Sequence, residues 1–98
     1  MLINKKELND CIQILVDYYN PLKIILFGSS ISGNINANSD FDFCVILDNN
    51  QDKKQAKPIL PRKCSLVIDT LDDFNSLKLN FATIEFIIDF NGQTVYER

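Results

Sequence analysis

The chain has 98 residues, of which 46% are hydrophobic and 23% charged, an ordinary balance for one compact soluble core that excludes wholesale disorder. Its net charge of −3 argues against nucleic acid as the main ligand, because gripping a phosphate backbone by counterion release needs clustered Lys and Arg. Histidine is absent, which removes histidine-based nucleophile chemistry and His-rich zinc sites, and no apolar run is long enough to span a bilayer, so no membrane partner is expected.

In chain order, Ile3 to Glu7 opens a helix, with Asn4 as N-cap, Glu7 three residues on and Ile3 stapled onto Leu8. Leu8, Cys11, Ile12, Leu15 and Tyr19 then recur at helical spacing until Asn20-Pro21 stops them. Met1 leads straight into Asn4, Lys5, Lys6 and Glu7, so no secretory signal is expected. Cys11, Cys44 and Cys64 are odd in number and lack CxxC spacing. Each sits among apolar neighbours and reads as a small buried hydrophobe. A reduced, cytoplasmic setting is the expectation.

Leu22 to Phe27 predicts a buried strand, and Gly28-Ser29-Ser30 a strand-to-helix turn. Phe41 to Leu47 predicts a second strand, with Phe41, Phe43, Val45 and Leu47 on one face and Asp42, Cys44 and Ile46 on the other. Residues 48–57 are polar and read as a mobile loop. Pro58 and Pro61 bracket a short extended piece, and Cys64 to Leu71 predicts a third strand. Thr70 or Asp72 caps a helical segment through Phe74, with Asp72-Asp73 as helix-start features. Leu79 to Phe90 predicts a well-buried helix, and Asn91-Gly92 turns the chain into a last strand, Gln93 to Tyr96. The fold class is α/β (α+β): one domain over 1–98, a mixed sheet of about four strands, and helices mostly on one face.

The chemistry lies in Phe27-Gly28-Ser29, ten residues, then Asp40-Phe41-Asp42. A strand that ends in Gly-Ser and opens a helix presents unsatisfied N–H groups and a positive dipole end, which suit phosphate. Gly28 allows close approach of the backbone, and Ser29 offers a hydroxyl. Asp40 and Asp42, two apart on a strand, set both carboxylates on one face. Their mutual repulsion is relieved by a divalent cation, whose remaining ligands phosphates can supply. Asp69, inside Leu66-Val67-Ile68-Asp69-Thr70-Leu71, is the third carboxylate chosen, because an ion buried there without a partner is costly. The plainer alternative is that Asp69 ends its strand and starts the next helix. The site is expected at the sheet's edge, where the Gly28 turn meets the strand of Asp40 and Asp42.

Two other motifs fail on their residues. Gly28 to Gly33 has P-loop spacing, but Asn34-Ile35 stands where Lys-Ser/Thr is required. Asp48, Asn50 and Asp52 imitate the start of an EF-hand loop, but Lys53 replaces the turning Gly and Ile59 the bidentate Glu.

With its spacing and strand context, the stretch FGSSISGNINANSDFDFCVIL, followed by SLVIDTLDDF and NGQTVYE, resembles the nucleotidyltransferase superfamily that includes DNA polymerase beta, and most closely its minimal members. The resemblance implies that Gly28, Ser29 and Ser30 form the nucleotide-binding turn for a nucleoside triphosphate. It implies that Asp40, Asp42 and Asp69 are catalytic and hold metal, two Mg²⁺ ions with ATP as substrate. Asp69 would bind the catalytic ion and help deprotonate the acceptor. It further implies a small helical protein partner of the HEPN toxin type, with this chain as antitoxin and AMP passing to a hydroxyl of that partner. Many minimal members have Arg after Gly-Ser where this chain has Ser30; Lys23, Arg62 and Lys63 are the candidate substitutes. The alternative function is a catalytically weak nucleotide-binding module that masks its partner.

Overall fold

The computed structural model describes residues 5–28, 41–53 and 56–98; Ser29, Ser30 and Asp40, and the expected cap Asn4, lie outside them. Helix α1 (Lys5–Tyr19) buries one stripe, Cys11, Leu15 and Tyr19, with Leu8, Ile12 and Val16 packed beside it. It ends at Asn20, whose φ of 47° is the left-handed conformation that Asn tolerates best after Gly. The Asn20 N–H donates to Val16 O at 2.9 Å, and Pro21 then prevents continuation.

The strands are β1 (Lys23–Phe27), β2 (Phe41–Leu47), β3 (Cys64–Thr70) and β4 (Gln93–Glu97), in the sheet order β3-β2-β1-β4. β1 runs antiparallel to β2 and to β4, whereas β2 and β3 are parallel. This is the expected four-stranded mixed sheet. Alternation divides its side chains between two cores. Ile24, Leu26, Phe41, Phe43, Val45 and Leu47 pack under α1. Ile25, Phe27, Cys44 and Ile46 meet Phe74 of α2 (Leu71–Leu77) and Ile88 of α3 (Ile84–Asn91) on the other face. Among the described residues, one helix therefore covers one face and two cover the other. Each fully buried Leu, Ile or Phe contributes about 1.5–3 kcal/mol, and β2, buried along nearly its whole length, is the centre of both layers.

Residues 48–53 form neither helix nor strand, and Gln51 ties them to the end of α1. Gln51 donates from Nε2 to Tyr19 O at 2.9 Å, and its Oε1 accepts from the Asp48 N–H at 2.7 Å. β3 stops at Thr70, one residue short of the expected end, because Thr70 caps α2 by accepting from the Asp73 N–H at 3.3 Å. The larger difference is α3. The helix predicted from Leu79 begins only at Ile84, since Asn80 and Thr83 turn their side chains onto the backbone. Asn80 Oδ1 accepts from the Ala82 N–H at 2.9 Å, and the Thr83 hydroxyl donates to Leu77 O at 2.7 Å while accepting from the Phe86 N–H at 3.2 Å. Nor is this helix well buried. Eight residues leave one stripe for the sheet, Glu85 and Ile88, and the rest of its apolar side chains stay outside.

Candidate active site

The Gly28 turn and Asp42 are brought together by the β1–β2 hairpin register, in which Phe27 stands opposite Asp42. Gly28 has φ of +70°, a conformation that side chains rarely adopt. A Cβ built on it would run into Oδ2 of Asp42 and lie 3.2 Å from Asp42 Cγ. The glycine is thus required twice, for its backbone and for the space the carboxylate fills. Asp42 itself is half-buried, on the face that carries Cys44 and Ile46. The Gly28 turn meets the strand of Asp42 as expected, and the strand order puts this meeting point at the end of the two central strands.

The parallel β2–β3 ladder places Ser65 opposite Asp42, Val67 opposite Cys44 and Asp69 opposite Ile46. Asp69 therefore shares a face with Asp42 but lies about 13 Å further along the strands, at roughly 3.3 Å per residue. The structure does not bring Asp69 to Asp42. The geometry matches the plainer alternative, an Asp that ends its strand just before the Thr70 cap. Asp69 is 5% exposed and its surroundings are other charges. Lys53 Nζ lies 4.0 Å from Asp69 Oδ1 and 3.3 Å from Asp73 Oδ2. Asp69 Oδ2 is buried without a hydrogen-bond donor among the described residues. The buried Glu85 carboxyl faces it, and two carboxylates cannot hydrogen-bond to each other, whereas one shared proton joins them. Burial first, then Glu85, push the Asp69 carboxyl up to about 7. The Cys44 thiol, beside both acids, is pushed up by burial and then by their charge, which makes it an inert core side chain.

The cations named as substitutes for the missing arginine separate clearly. Lys23 stands opposite Ile46, at the far end of β1 from Gly28. Arg62 lies over the Phe41 ring at 4.5 Å and 3.4 Å from Glu7 Oε1, where it ties α1 to the sheet. Lys63 is different. Its carbonyl accepts from the Phe41 N–H at 3.3 Å, so its backbone adjoins the end of β2 that carries Asp42, and its side chain is exposed.

A divalent cation fits the Asp42 carboxylate chemically, since Mg²⁺ is held by one or two carboxylates together with phosphates and water. Asp40, the second carboxylate that the resemblance implies, lies outside the described residues. Among the described residues no group of three Asp, Glu or Cys side chains is placed to share an ion. Ser65 and the position of Lys63 were missed by residue spacing, because spacing within one strand carries no information on its register with another. No helix among the described residues is long and apolar enough to cross a membrane.

No curated protein and no solved structure matches the chain significantly. The family model described as Polymerase beta, Nucleotidyltransferase matches residues 9–98, which include most of α1, Gly28, the four strands, α2 and α3. Domains of this type generally act on a nucleoside triphosphate with a divalent metal. With the Gly28 turn set against Asp42, and with a match over nearly its whole length, the chain belongs to the polymerase beta nucleotidyltransferase family.

Proposed function

We propose that this chain binds ATP at the Gly28-Ser29-Ser30 turn, with Mg²⁺ at Asp40 and Asp42, and transfers AMP to a hydroxyl of a protein partner. The observation that supports the reading is the close approach of Gly28 and the Asp42 carboxylate, which would set a phosphate held by the turn beside a metal-holding carboxylate. In such a reaction the acceptor oxygen forms a bond to the α-phosphorus, the α–β phosphate bond breaks, and pyrophosphate leaves. A bound divalent cation supplies charge neutralisation on the phosphates. The chain supplies position: the turn would fix the phosphate, and Asp42 would hold the cation that pairs with it. Asp69 is not placed to take the acceptor proton, which passes to water instead. Two carboxylates suffice for one Mg²⁺; the second ion that the resemblance implies needs a ligand from the partner or the substrate.

The acceptor we propose is the small helical HEPN-type partner, with this chain acting as its antitoxin. Lys63 takes the place of the absent arginine as the cation facing the triphosphate. Replacing Lys63 by alanine should weaken ATP binding several-fold without changing the melting temperature, read by equilibrium dialysis with Mg²⁺ present. An unchanged affinity removes Lys63 from the site.

One observation favours the second reading, a weakly catalytic module that masks its partner: a serine, not a carboxylate, faces Asp42 across the β2–β3 ladder. The direct test incubates the chain, its partner, Mg²⁺ and ATP labelled on the α-phosphate. Label on the partner supports transfer; binding of the partner without label supports masking. Ser65→Asp adds a third carboxylate about 4.8 Å from the strand of Asp42. It should tighten Mg²⁺ binding on the order of tenfold, since ligand charge tunes cation affinity. Calorimetric titration checks this, and no gain would place Ser65 outside the metal's reach.

A further inference from the structure

Helix α3 and the turn before it carry more apolar surface than the sheet beneath them can bury. Ile88 faces the core, but Ile84, Phe86, Ile87 and Phe90 are 46, 38, 51 and 78% exposed, and Leu79 and Phe81 80 and 82%. These six side chains present on the order of 700 Å² of apolar surface, taking roughly 150–250 Å² per aromatic. That exceeds the largest patch of a typical monomer, about 300–600 Å². It approaches the roughly 800 Å² that each partner contributes to a stable interface.

We infer that this face pairs with the same face of a second copy of the chain. Two observations point to that occupant. Beside the patch, Lys78 is matched within the chain by Asp89 of α3 at 3.7 Å. An unlike partner therefore finds little charge pattern to read there, while a like partner meets no strong repulsion at a net charge of −3. Phe86 and Phe90, four residues apart, stack with ring planes 8° apart and centroids at 6.4 Å. They make an i, i+4 ridge, which packs against a copy of itself in the commonest helix-crossing class. A two-fold arrangement closes on itself and leaves the opposite face, under α1, unused.

The interface also neighbours the site. Gly92, at the end of α3, is pressed against Ile25, and Gln93 stands opposite Leu26, two residues before Gly28. The C-terminal end of the pairing helix thus adjoins the nucleotide turn.

Sedimentation equilibrium of the full chain from about 1 to 100 μM tests the pairing, with Phe90→Glu and Ile87→Glu as variants and circular dichroism to verify that each folds. The expected result is a wild-type dimer whose dissociation constant rises at least tenfold in both variants while their spectra and melting temperatures hold. Both side chains project outward, so folding does not depend on them. A wild-type chain that stays monomeric throughout overturns the proposal. So does a dimer that both variants leave intact, open-ended association, or a face that binds only a foreign protein.

Discussion

Asp42→Asn should abolish nucleotidyl transfer, with a loss on the order of 10²–10³ or more, comparable to removing a principal electrostatic group from an active site. Asparagine keeps the size and one oxygen of the carboxylate, so it still fills the space left by Gly28 and should leave the melting temperature nearly unchanged. What it loses is the negative charge that opposes the cation. Two assays belong together here, transfer of label from α-labelled ATP and binding of ATP with Mg²⁺. Lost transfer with retained fold confirms Asp42 as the metal-holding carboxylate. Undiminished transfer would move the chemistry away from the Gly28 turn altogether.

The second large effect concerns stability. Burial and then Glu85 push the Asp69 carboxyl up to about 7 in the folded chain, against about 3.9 for an exposed Asp. The folded state therefore holds a proton that the unfolded state has released over that window. Stability from this group is complete below about pH 4 and is lost as pH rises through about 7. A shift of this size corresponds to a ceiling of about 4 kcal/mol. Asp69→Asn removes the titration, and its amide can donate to the Glu85 carboxylate. The variant should match the wild type near pH 4–5 and exceed it by about 1–3 kcal/mol at pH 8, measured by urea unfolding at both pH values. The lost contact with half-exposed Lys53 subtracts little. Should the variant be less stable at pH 8, and should Mg²⁺ stabilise only the wild type, Asp69 would regain the metal role that its position in the sheet argues against.

Much of the fold was legible in the residues because each signal was local. Alternation over Phe41 to Leu47 assigned both faces of β2, and the structure keeps the strand's bounds and its two sides. The helical stripe from Leu8 to Tyr19 and its stop at Asn20-Pro21 were equally plain, since a period and a stop are written within a few residues. α3 was misread because composition alone made the segment from Leu79 to Phe90 a buried helix. Asn80 and Thr83 delay its start, and nothing in a hydrophobic residue says whether its own chain has a surface left to receive it.

The candidate site divides along the same line. The sequence by itself singled out Gly28 and Asp42, which the structure sets together, and pointed to the family that the match over residues 9–98 shows. Those residues act through spacing along one continuous stretch. Only the tertiary structure decided which residues of β3 and its approach stand beside Asp42. It set Ser65 opposite Asp42 and the Lys63 backbone beside Phe41, and sent Asp69 to the far end, against Glu85 and Lys53. The physical reason is that strand register is set by how two faces of the sheet pack against α1, α2 and α3. A shift of four residues in a parallel ladder preserves every side chain's face while moving a carboxylate beyond the reach of a shared ion.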